Sequence, residues 1–331
     1  MHFLFKSMKQ NLDRIEGRRF INHFKLQPSM ATQKEIEEMY DWVDKFHALR
    51  LGAYPDYTCA FFDGDYSKTL KQAQINKHNW VLKGINFKKG NRILDIGCGW
   101  GPMLNAILKK GGKPVGFTLS SAQVKYCNNR NLKVKLQDYK KAKVEKFDGI
   151  VSIGAFEHFC SIEEYKKGFQ EKIYKEFFKF CSDSLNKGGR LYLQTMIWGD
   201  KVPDPKRISL DAPEGSPQKI LARLIKFYPG SWLPSSKEQI IKCAKPYFKF
   251  IKSNNGRLDY LETLKGWTNS NKNLYKPKKF FQTLKALISL IPRYLTDKDF
   301  RIQTQTVRKG DQTEVFKRKI FSHERMFFEK K

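Results

Sequence analysis

The sequence lacks any apolar run that approaches the roughly 20 residues needed to cross a bilayer. Residues 1–6 hold only a brief apolar run before charged residues resume, which is not the pattern of a secretory signal peptide. We therefore expect a cytoplasmic protein, either free in solution or bound peripherally at the inner face of a membrane.

Cysteine pairs and metal-ligand spacings are also missing. The six cysteines form no C-x-x-C pair and no Cys/His ligand pattern, so we expect reduced thiols, no disulfide framework and no metal site. The cysteines are Cys59, Cys98, Cys127, Cys160, Cys181 and Cys243.

Acidic residues are scarce relative to basic ones. The 331 residues include 63 Lys and Arg against 33 Asp and Glu, which gives a formal net charge of +30. Such an excess predicts an anionic partner, such as nucleic acid, an anionic lipid surface or a phosphorylated substrate, with a solvated basic surface as the alternative. No helix-turn-helix, zinc-finger or RNP-type pattern accompanies the charge, so we do not expect nucleic acid to be the partner.

The most informative motif of the sequence is NRILDIGCGWGP, at residues 91–102. Branched apolar residues around Asp95 predict a short buried parallel strand, and apolar residues at helical spacing follow the stretch. Gly97, Gly99 and Gly101 turn the chain between strand and helix, where glycine lets the backbone approach a ligand that any Cβ would touch. Gly-x-Gly-x-Gly with an acidic residue two positions earlier is typical of S-adenosylmethionine methyltransferases, although tight turns also use glycine for steric reasons alone.

Strands and helices alternate along most of the chain. Further strands are predicted at residues 114–119, 134–136, 147–153 and 190–196. Helices are predicted at residues 35–51, 67–84, 122–129, 169–180, 219–228 and 260–285. Two final strands are predicted at residues 303–314 and 315–328, flanking a turn at 309–311. The alternation predicts an α/β fold in which helices cover both faces of a parallel sheet.

Several polar residues follow the predicted strands directly. In a parallel sheet of this kind, ligands bind beyond the carboxyl ends of the strands. That rule selects the loop at residues 97–101, Thr118, Asp138, Glu157 and Gln194, which we expect to converge in space. A carboxylate at the end of a buried strand is costly to desolvate, which favours a functional role for Glu157.

Colinear stretches of the sequence resemble the cyclopropane-fatty-acid synthase and mycolic acid methyltransferase family, from about Tyr40 to the end. They are YTCAFF at 57–62, TLKQAQ at 69–74, ILDIGCGWG at 93–101, GFTLS at 116–120, LQDY at 136–139, IVSIGAFEH at 150–158, YPG at 228–230, LPS at 233–235 and YLETLKGW at 260–267. The resemblance implies transfer of a methyl group from S-adenosyl-L-methionine to the double bond of an unsaturated phospholipid acyl chain. The net charge of +30 favours an anionic membrane surface as a further partner.

The resemblance also implies a domain arrangement. We predict a Rossmann-like, seven-stranded class I methyltransferase sheet with a helical N-terminal arm and an inserted helical acyl-binding or lid region. The arm and cofactor lid occupy residues 1–66. The methyltransferase domain occupies residues 67–331, with the insertion at about residues 199–300.

The site residues implied by the resemblance and by the glycine loop fall into two groups. The cofactor-binding residues are predicted to be Tyr57, Thr58, Asp95, Gly97, Gly99, Gly101, Thr118, Leu119, Gln123 and Asp138. Tyr57 and Thr58 would close over the cofactor, and Asp138 would lie near its adenine. The catalytic residues are predicted to be Glu157, Cys59, Tyr260 and Gln194. No metal is predicted.

Three of the predicted catalytic residues, Cys59, Glu157 and Tyr260, match the family's bicarbonate site, so bicarbonate is a second candidate cofactor. Glu157 would hold a hydrogen bond or stabilise positive charge, and Tyr260 would donate from its hydroxyl. Where the family has a histidine after the fifth strand, this sequence has Gln194, which can offer an N–H but cannot titrate near neutral pH. Both a cyclopropane and a methyl-branched product therefore stay open.

Alternatives accompany these interpretations. Cys59 can be a small buried apolar residue, and His158 can simply cap a helix or bond to backbone. The helix at residues 219–228 can pack on the core, or it can line an acyl tunnel while its lysines and Arg223 meet lipid headgroups. A small-amine N-methyltransferase on the same scaffold is the alternative function.

Overall fold

The computed structural model describes residues 55–228 and 231–331, together with Leu49 and Leu51, both of which are helical. Apart from those two leucines, the predicted helix at residues 35–51 lies outside the described residues, as does most of the predicted N-terminal arm. Within the described part of the chain, no helix is long and apolar enough to span a membrane. The same part contains no cluster of three or more His, Cys, Asp or Glu suited to a metal ion.

Seven strands form one mixed sheet in the order β3-β2-β1-β4-β5-β7-β6. They are β1 (Arg92–Ile96), β2 (Lys113–Thr118), β3 (Val134–Leu136), β4 (Phe147–Ile153), β5 (Leu185–Trp198), β6 (Phe248–Asn255) and β7 (Phe321–Lys330). The first five strands run parallel, and β7 runs antiparallel between β5 and β6. This order confirms the predicted Rossmann-like, seven-stranded α/β sheet.

Helices connect the strands and extend beyond the sheet. They are α1 (Leu70–Gly84), α2 (Pro102–Lys109), α3 (Ser121–Asn128), α4 (Ile162–Lys166), α5 (Gln170–Ser184), α6 (Pro217–Phe227), α7 (Lys237–Ala244), α8 (Arg257–Ser270), α9 (Pro277–Thr296), α10 (Lys298–Lys309) and α11 (Asp311–Lys317). α1 begins at a capping box, in which Thr69 and Gln72 each accept the other's backbone N–H through their side chains. The Ser120 hydroxyl caps α3, as predicted.

The predicted strand at residues 303–314 is wrong. This part of the chain forms the end of α10 and the start of α11, which Gly310 separates with a φ of 69°. α10 packs against α6 and buries Phe300, Gln303 and Thr306, spaced about one helical turn apart. Two of these three residues are polar, so the apolar periodicity that would reveal a helix is hidden in the sequence. The final strand is confirmed in its second half, as β7.

β6 is a strand that the sequence analysis did not predict, and it pairs with β7. It lies at the edge of the sheet, and Phe248 is its one buried residue. Its sequence, FKFIKSNN, therefore shows neither the continuous apolar run of a central strand nor a clean alternation. Charged and polar residues suit an edge strand because they oppose pairing with another chain.

Apolar side chains of helices cover both faces of the sheet, as predicted. Neighbouring residues of β4 show this, because Ile150 joins a cluster with Phe177 of α5 while Val151 joins a second cluster with Val81 of α1. Alternate strand residues point to opposite faces. The central strands are therefore buried on both sides, which explains their near-continuous apolar sequences.

α6 is the predicted amphipathic helix, but its basic residues do not project together into solvent. The Arg223 guanidinium is buried, and its Nε and Nη2 donate to the two oxygens of Asp311 at 2.6 and 2.8 Å. Lys219 pairs with Glu214 at 3.6 Å, and Lys226 pairs with Asp299 at 3.2 Å. The interpretation in which Arg223 meets lipid headgroups is therefore wrong, and α6 packs on the core.

Candidate active site

A cavity of about 1760 Å³ lies at the carboxyl ends of β1, β2, β4 and β5. Residues 97–100 of the glycine loop, Thr118, Asp138, Glu157 and Gln194 line it, which confirms the predicted convergence of these strand-end residues. The other predicted site residues that line the cavity are Tyr57, Thr58, Cys59, Asp95, Leu119, Gln123 and Tyr260. Gly101 does not border the cavity.

The three glycines of the loop all have positive φ, but the space around the position of a Cβ differs among them. A Cβ on Gly97 would lie 2.4 Å from the Cβ of Ala155, and a Cβ on Gly101 would lie 2.6 Å from Leu132. Those two glycines are therefore required by contacts within the protein. Gly99 differs, because apart from its own atoms and those of its two chain neighbours no heavy atom of the described residues lies within 4 Å of the position its Cβ would take. The loop is thus open to a ligand at Gly99.

Asp95, at the end of β1, presents an unsatisfied carboxylate beside the glycine loop. Its side chain is buried, and its Oδ1 has no hydrogen-bond partner among the described residues. Burial, together with repulsion from Asp56, raises the pKa of Asp95 to about 7. A buried carboxylate without a partner fits the ammonium group of an amino acid, which S-adenosylmethionine carries at one end.

The end of β2 and the start of α3 form the next part of the wall. The Thr118 hydroxyl donates to Oε1 of Gln123 at 2.6 Å, which ties the strand end to the helix. Leu119, between them, keeps 45% of its side chain exposed, so it offers an apolar surface to a ligand. Asp138 caps a short 3-10 turn by accepting the backbone N–H of Lys140 at 2.9 Å.

A buried charged cluster holds the segment that closes one side of the cavity. Both oxygens of Asp56 accept from the Lys77 ammonium at 2.8 Å, and one of them also contacts Nε2 of His78 at 2.9 Å. The Thr58 hydroxyl donates to Asp56 at 2.7 Å. Although burial acts to raise the pKa of Asp56, Lys77 and His78 outweigh burial and hold that pKa well below its usual range. This cluster fixes Tyr57 and Thr58 at the cavity.

Sequence reasoning missed Asp56, Lys77 and His78. Lysine and histidine on an amphipathic helix are expected to be solvated, and no short motif joins them to Asp56. The one available signal for this cluster was Asp56, an acidic residue that follows a proline within the aromatic segment at residues 54–63.

Glu157 lies in a 3-10 turn directly after β4, as the strand-end rule predicts. Its side chain is 3% exposed, and its Oε2 accepts from the Thr195 hydroxyl at 2.9 Å. Burial raises the pKa of Glu157 to about 7, so both protonation states are populated near neutrality. Burial lowers the pKa of the adjacent His158 to about 4, and Nδ1 of that neutral ring lies 2.7 Å from the Ser231 hydroxyl.

Gln194 connects the sheet to the segment above the cavity. Its Nε2 donates to the main-chain oxygen of Cys59 at 3.0 Å, and its Oε1 accepts from the Tyr192 hydroxyl at 2.8 Å. The Cys59 sulfur lies 3.2 Å from a guanidinium nitrogen of Arg325. Burial nevertheless raises the pKa of Cys59 to about 12, so the thiol is neutral at physiological pH.

Sequence reasoning missed two residues of β7: His323, which lines the cavity, and Arg325, which contacts the cavity residue Cys59 from behind. Arg325 is fully buried opposite Gln194 in the strand register and pairs with Asp259 at 2.9 Å. His323 lines the cavity two residues earlier, and its ring meets the edge of the Tyr260 ring at a centroid distance of 5.3 Å. Charged residues at alternate positions of an otherwise apolar strand were the available signal.

The cavity continues from the strand ends into a chamber bounded by α6, α8, α9 and α10, which we call the apolar chamber. Its lining side chains are mostly aliphatic and aromatic. They include Phe227, Leu264, Trp267, Leu287, Ile288 and Ile291. The arrangement therefore joins a polar end at the glycine loop to an apolar end whose lining suits a hydrocarbon substrate.

This strand order, with an open glycine loop and an unpaired carboxylate at the end of β1, defines a class I S-adenosylmethionine-dependent methyltransferase. The family profile described as mycolic acid cyclopropane synthetase matches residues 27–308, and the chain belongs to that family. Cyclopropane mycolic acid synthase 2 of Mycobacterium leprae is 32% identical over 244 residues, which cover 70% of this chain and 77% of that protein. Cyclopropane mycolic acid synthase 3 of Mycobacterium tuberculosis is 33% identical over 245 residues, which cover 71% of this chain and 80% of that protein.

Solved structures agree with this assignment. Mycolic acid cyclopropane synthase CmaA1, complexed with SAH and CTAB, superposes with a TM-score of 0.68 at 25% identity, covering 91% of this chain and 99% of that one. Coclaurine N-methyltransferase shares the fold at 18% identity with a TM-score of 0.58, covering 98% of this chain and 94% of that one. The protein is thus an S-adenosylmethionine-dependent methyltransferase.

Proposed function

We propose that the protein transfers a methyl group from S-adenosyl-L-methionine to the double bond of an unsaturated phospholipid acyl chain, giving a cyclopropane or methyl-branched product. The observation that carries the proposal is the continuity of one cavity from the glycine loop to the apolar chamber. A methyl donor at the loop and an acyl chain in the chamber can meet near Glu157. Relatives named as mycolic acid synthases support a lipid substrate, and the net charge of +30 favours an anionic phospholipid.

The residues of the polar end fit the cofactor. S-adenosyl-L-methionine supplies an electrophilic methyl group on a sulfonium when it is bound. We propose that Asp95 pairs with its ammonium group and that Gly99 lets the backbone approach it. The other residues proposed to hold or cover it are Tyr57, Thr58, Gly97, Thr118, Leu119, Gln123 and Asp138.

Glu157 is proposed to act on charge that develops on the acyl chain. An alkene is a weak nucleophile, and addition of a methyl cation leaves positive charge on the neighbouring carbon. A carboxylate in a site of low water content stabilises such charge far more than it would in water. With a pKa of about 7, Glu157 can also accept a proton from the cation. Tyr260 presents an aromatic ring to the same region, held by stacking on Phe316 at a centroid distance of 4.3 Å.

Bicarbonate stays a proposed second cofactor. The amide of Gln194 bonds to Cys59 and Tyr192, and the Cys59 thiol contacts Arg325. The Nε of Arg325 is buried without a hydrogen-bond partner among the described residues, so these groups are not all satisfied by one another. Loss of a proton to Glu157 or to bicarbonate is the proposed route to a ring.

We also propose that residues 1–66 act as an arm and cofactor lid, within a protein that works peripherally on an anionic membrane. The described end of that segment supports the lid, because Asp56, Tyr57 and Thr58 line the cavity. Coclaurine N-methyltransferase shares the fold, so the fold alone does not distinguish methylation of an acyl chain from methylation of an amine. The aliphatic lining of the chamber favours the acyl chain, since an amine site needs polar or anionic groups to receive it.

Mass spectrometry tests the proposal directly. Cells that express the protein are fed methionine with a labelled methyl group, and their lipids are compared with those of cells that express Glu157→Gln. The proposal expects labelled methylene equivalents on unsaturated acyl chains, and gas chromatography of the fatty acid esters separates rings from branches. Unlabelled acyl chains together with label in a soluble amine would overturn it.

A further inference from the structure

α9 exposes an apolar stripe along its length. Phe281 is 78% exposed, Ile288 is 55% exposed and Leu295 is 53% exposed, while Thr283 is the one buried residue of the helix. Phe280, Leu284 and Ile291 belong to the same stripe and are also exposed. Their spacing of three or four residues places these side chains on one face. We call this set the α9 stripe.

The charged residues within α9 all have one sign. No acidic residue occurs between Glu262 and Asp297. The basic residues in that interval are Lys265, Lys272, Lys276, Lys278, Lys279, Lys285 and Arg293. Lys278 and Lys285 are exposed, and helical geometry places them beside the stripe. An apolar face bordered by cations without acids is the pattern of a helix that lies in the interface of an anionic membrane.

The α9 stripe also reaches the active-site cavity. Leu284, Ile288 and Ile291 are exposed to solvent and at the same time line the cavity. The stripe is therefore continuous with the apolar chamber, so a hydrocarbon chain could pass from one to the other without crossing water.

We propose that α9 docks this protein on an anionic lipid surface, with the α9 stripe in the acyl region, Lys278 and Lys285 at the phosphates, and the substrate chain entering between Leu284 and Ile291. This inference rests on the proposed function, because it supplies the route by which a lipid substrate reaches Glu157. A second copy of the chain is a less suitable partner for the α9 stripe, because two α9 helices in contact would bring together clusters of like charge.

Vesicle flotation tests whether the α9 stripe binds an anionic lipid surface. The full chain is mixed with vesicles of phosphatidylcholine alone or with phosphatidylglycerol added. Phe281→Gln/Leu295→Gln removes two stripe residues that do not line the cavity, and Ile75→Gln/Leu258→Gln removes two comparably exposed apolar residues from α1 and α8. We expect binding to anionic vesicles only, weakened at least tenfold by the first pair and unchanged by the second. Equal binding of both variants, or no binding by the natural chain, would overturn the inference.

A fluorescent label distinguishes lipid from a protein occupant. All six native cysteines are buried, so a Phe281→Cys variant can be labelled selectively with an environment-sensitive dye. We expect the emission to shift to the blue only when anionic vesicles are added. Blue-shifted emission in buffer alone would mean that the chain's own N-terminal segment or a second copy covers the stripe, and the lipid assignment would be wrong.

Methyl transfer in two substrate forms separates this inference from the proposed function. We expect Phe281→Gln/Leu295→Gln to lose most of its activity on vesicle lipid but to retain activity on the same lipid dispersed in detergent. Equal activity of this variant and the natural chain on vesicles would overturn docking by α9 alone. Absence of acyl methylation by the natural chain in detergent would instead overturn the proposed function.

Discussion

Gln194 of β5 donates its side-chain N–H to the main-chain oxygen of Cys59, 3.0 Å away, and accepts from Tyr192. Through this contact the centre of the sheet holds the segment that closes the cavity. A titratable side chain in this place would change its hydrogen-bonding pattern with pH, whereas an amide keeps one pattern across the physiological range.

Replacing Gln194 with Ala is expected to weaken the fold. The substitution leaves the buried Cys59 oxygen and Tyr192 hydroxyl without this partner, which costs about 1–3 kcal/mol of unfolding free energy. Urea unfolding followed by circular dichroism measures the loss. Gln282→Ala, at an exposed position of α9, is the control and should stay within about 0.5 kcal/mol of the natural chain. An equal effect of both substitutions would contradict the role of this contact.

Methyl transfer is expected to depend on the ionisation of Glu157. Burial raises the pKa of Glu157 from 4.5 to about 7, so the carboxylate is mostly neutral at pH 6 and mostly charged at pH 8. If the charged form stabilises the cation, the rate at saturating cofactor should rise through pH 7. Glu157→Gln should lower the rate by about 10²–10³-fold and abolish that inflection. Glu176→Gln, on the exposed side of α5, should keep both rate and profile.

Two glycines allow cofactor contact to be separated from backbone strain. Gly99 has a φ of 53° and Gly90 a φ of 88°, and at neither position would an added Cβ lie within 4 Å of a described heavy atom outside the glycine and its two chain neighbours. Alanine at either position should cost roughly 1–2 kcal/mol of stability, because L-residues resist positive φ. Titration calorimetry should show cofactor affinity reduced at least tenfold in Gly99→Ala but nearly unchanged in Gly90→Ala. Equal affinities would exclude close approach of the cofactor at Gly99.

The buried Arg223–Asp311 pair is expected to stabilise the packing of α6 on α11. Arg223→Met leaves the Asp311 carboxylate buried without its partner, which should cost about 3–5 kcal/mol in urea unfolding. Adding Asp311→Leu should restore most of that loss, since no buried charge remains. Lys226→Met breaks the more exposed pair with Asp299 and should cost about 1 kcal/mol or less. If Arg223→Met/Asp311→Leu unfolds as easily as Arg223→Met alone, the ion pair itself supplies the stability.

Local sequence patterns predicted the strand, turn and helix that form the glycine-loop end of the cavity. The strand, turn and helix around Gly97 depend on residues that are neighbours in sequence, so their geometry follows from backbone preferences. Glu157 was found because the end of a buried strand has a known position relative to a parallel sheet. Arg325 and Lys77 were missed because their contacts with Asp259 and Asp56 join residues that are distant in sequence.

The sequence by itself determined the α/β class, six of the seven strands (β7 only in part) and the glycine loop, because apolar periodicity and glycine spacing act over a few residues. The tertiary structure decided that residues 303–309 are helical and that β6 fills the sheet edge, since both depend on which neighbour buries a partly polar face. It also decided that α6 is packed on the core while α9 exposes its apolar stripe. Both α6 and α9 are amphipathic and basic, so the sequence alone does not distinguish them. They differ in the folded chain because a carboxylate from another element, Asp311, pairs with Arg223 of α6.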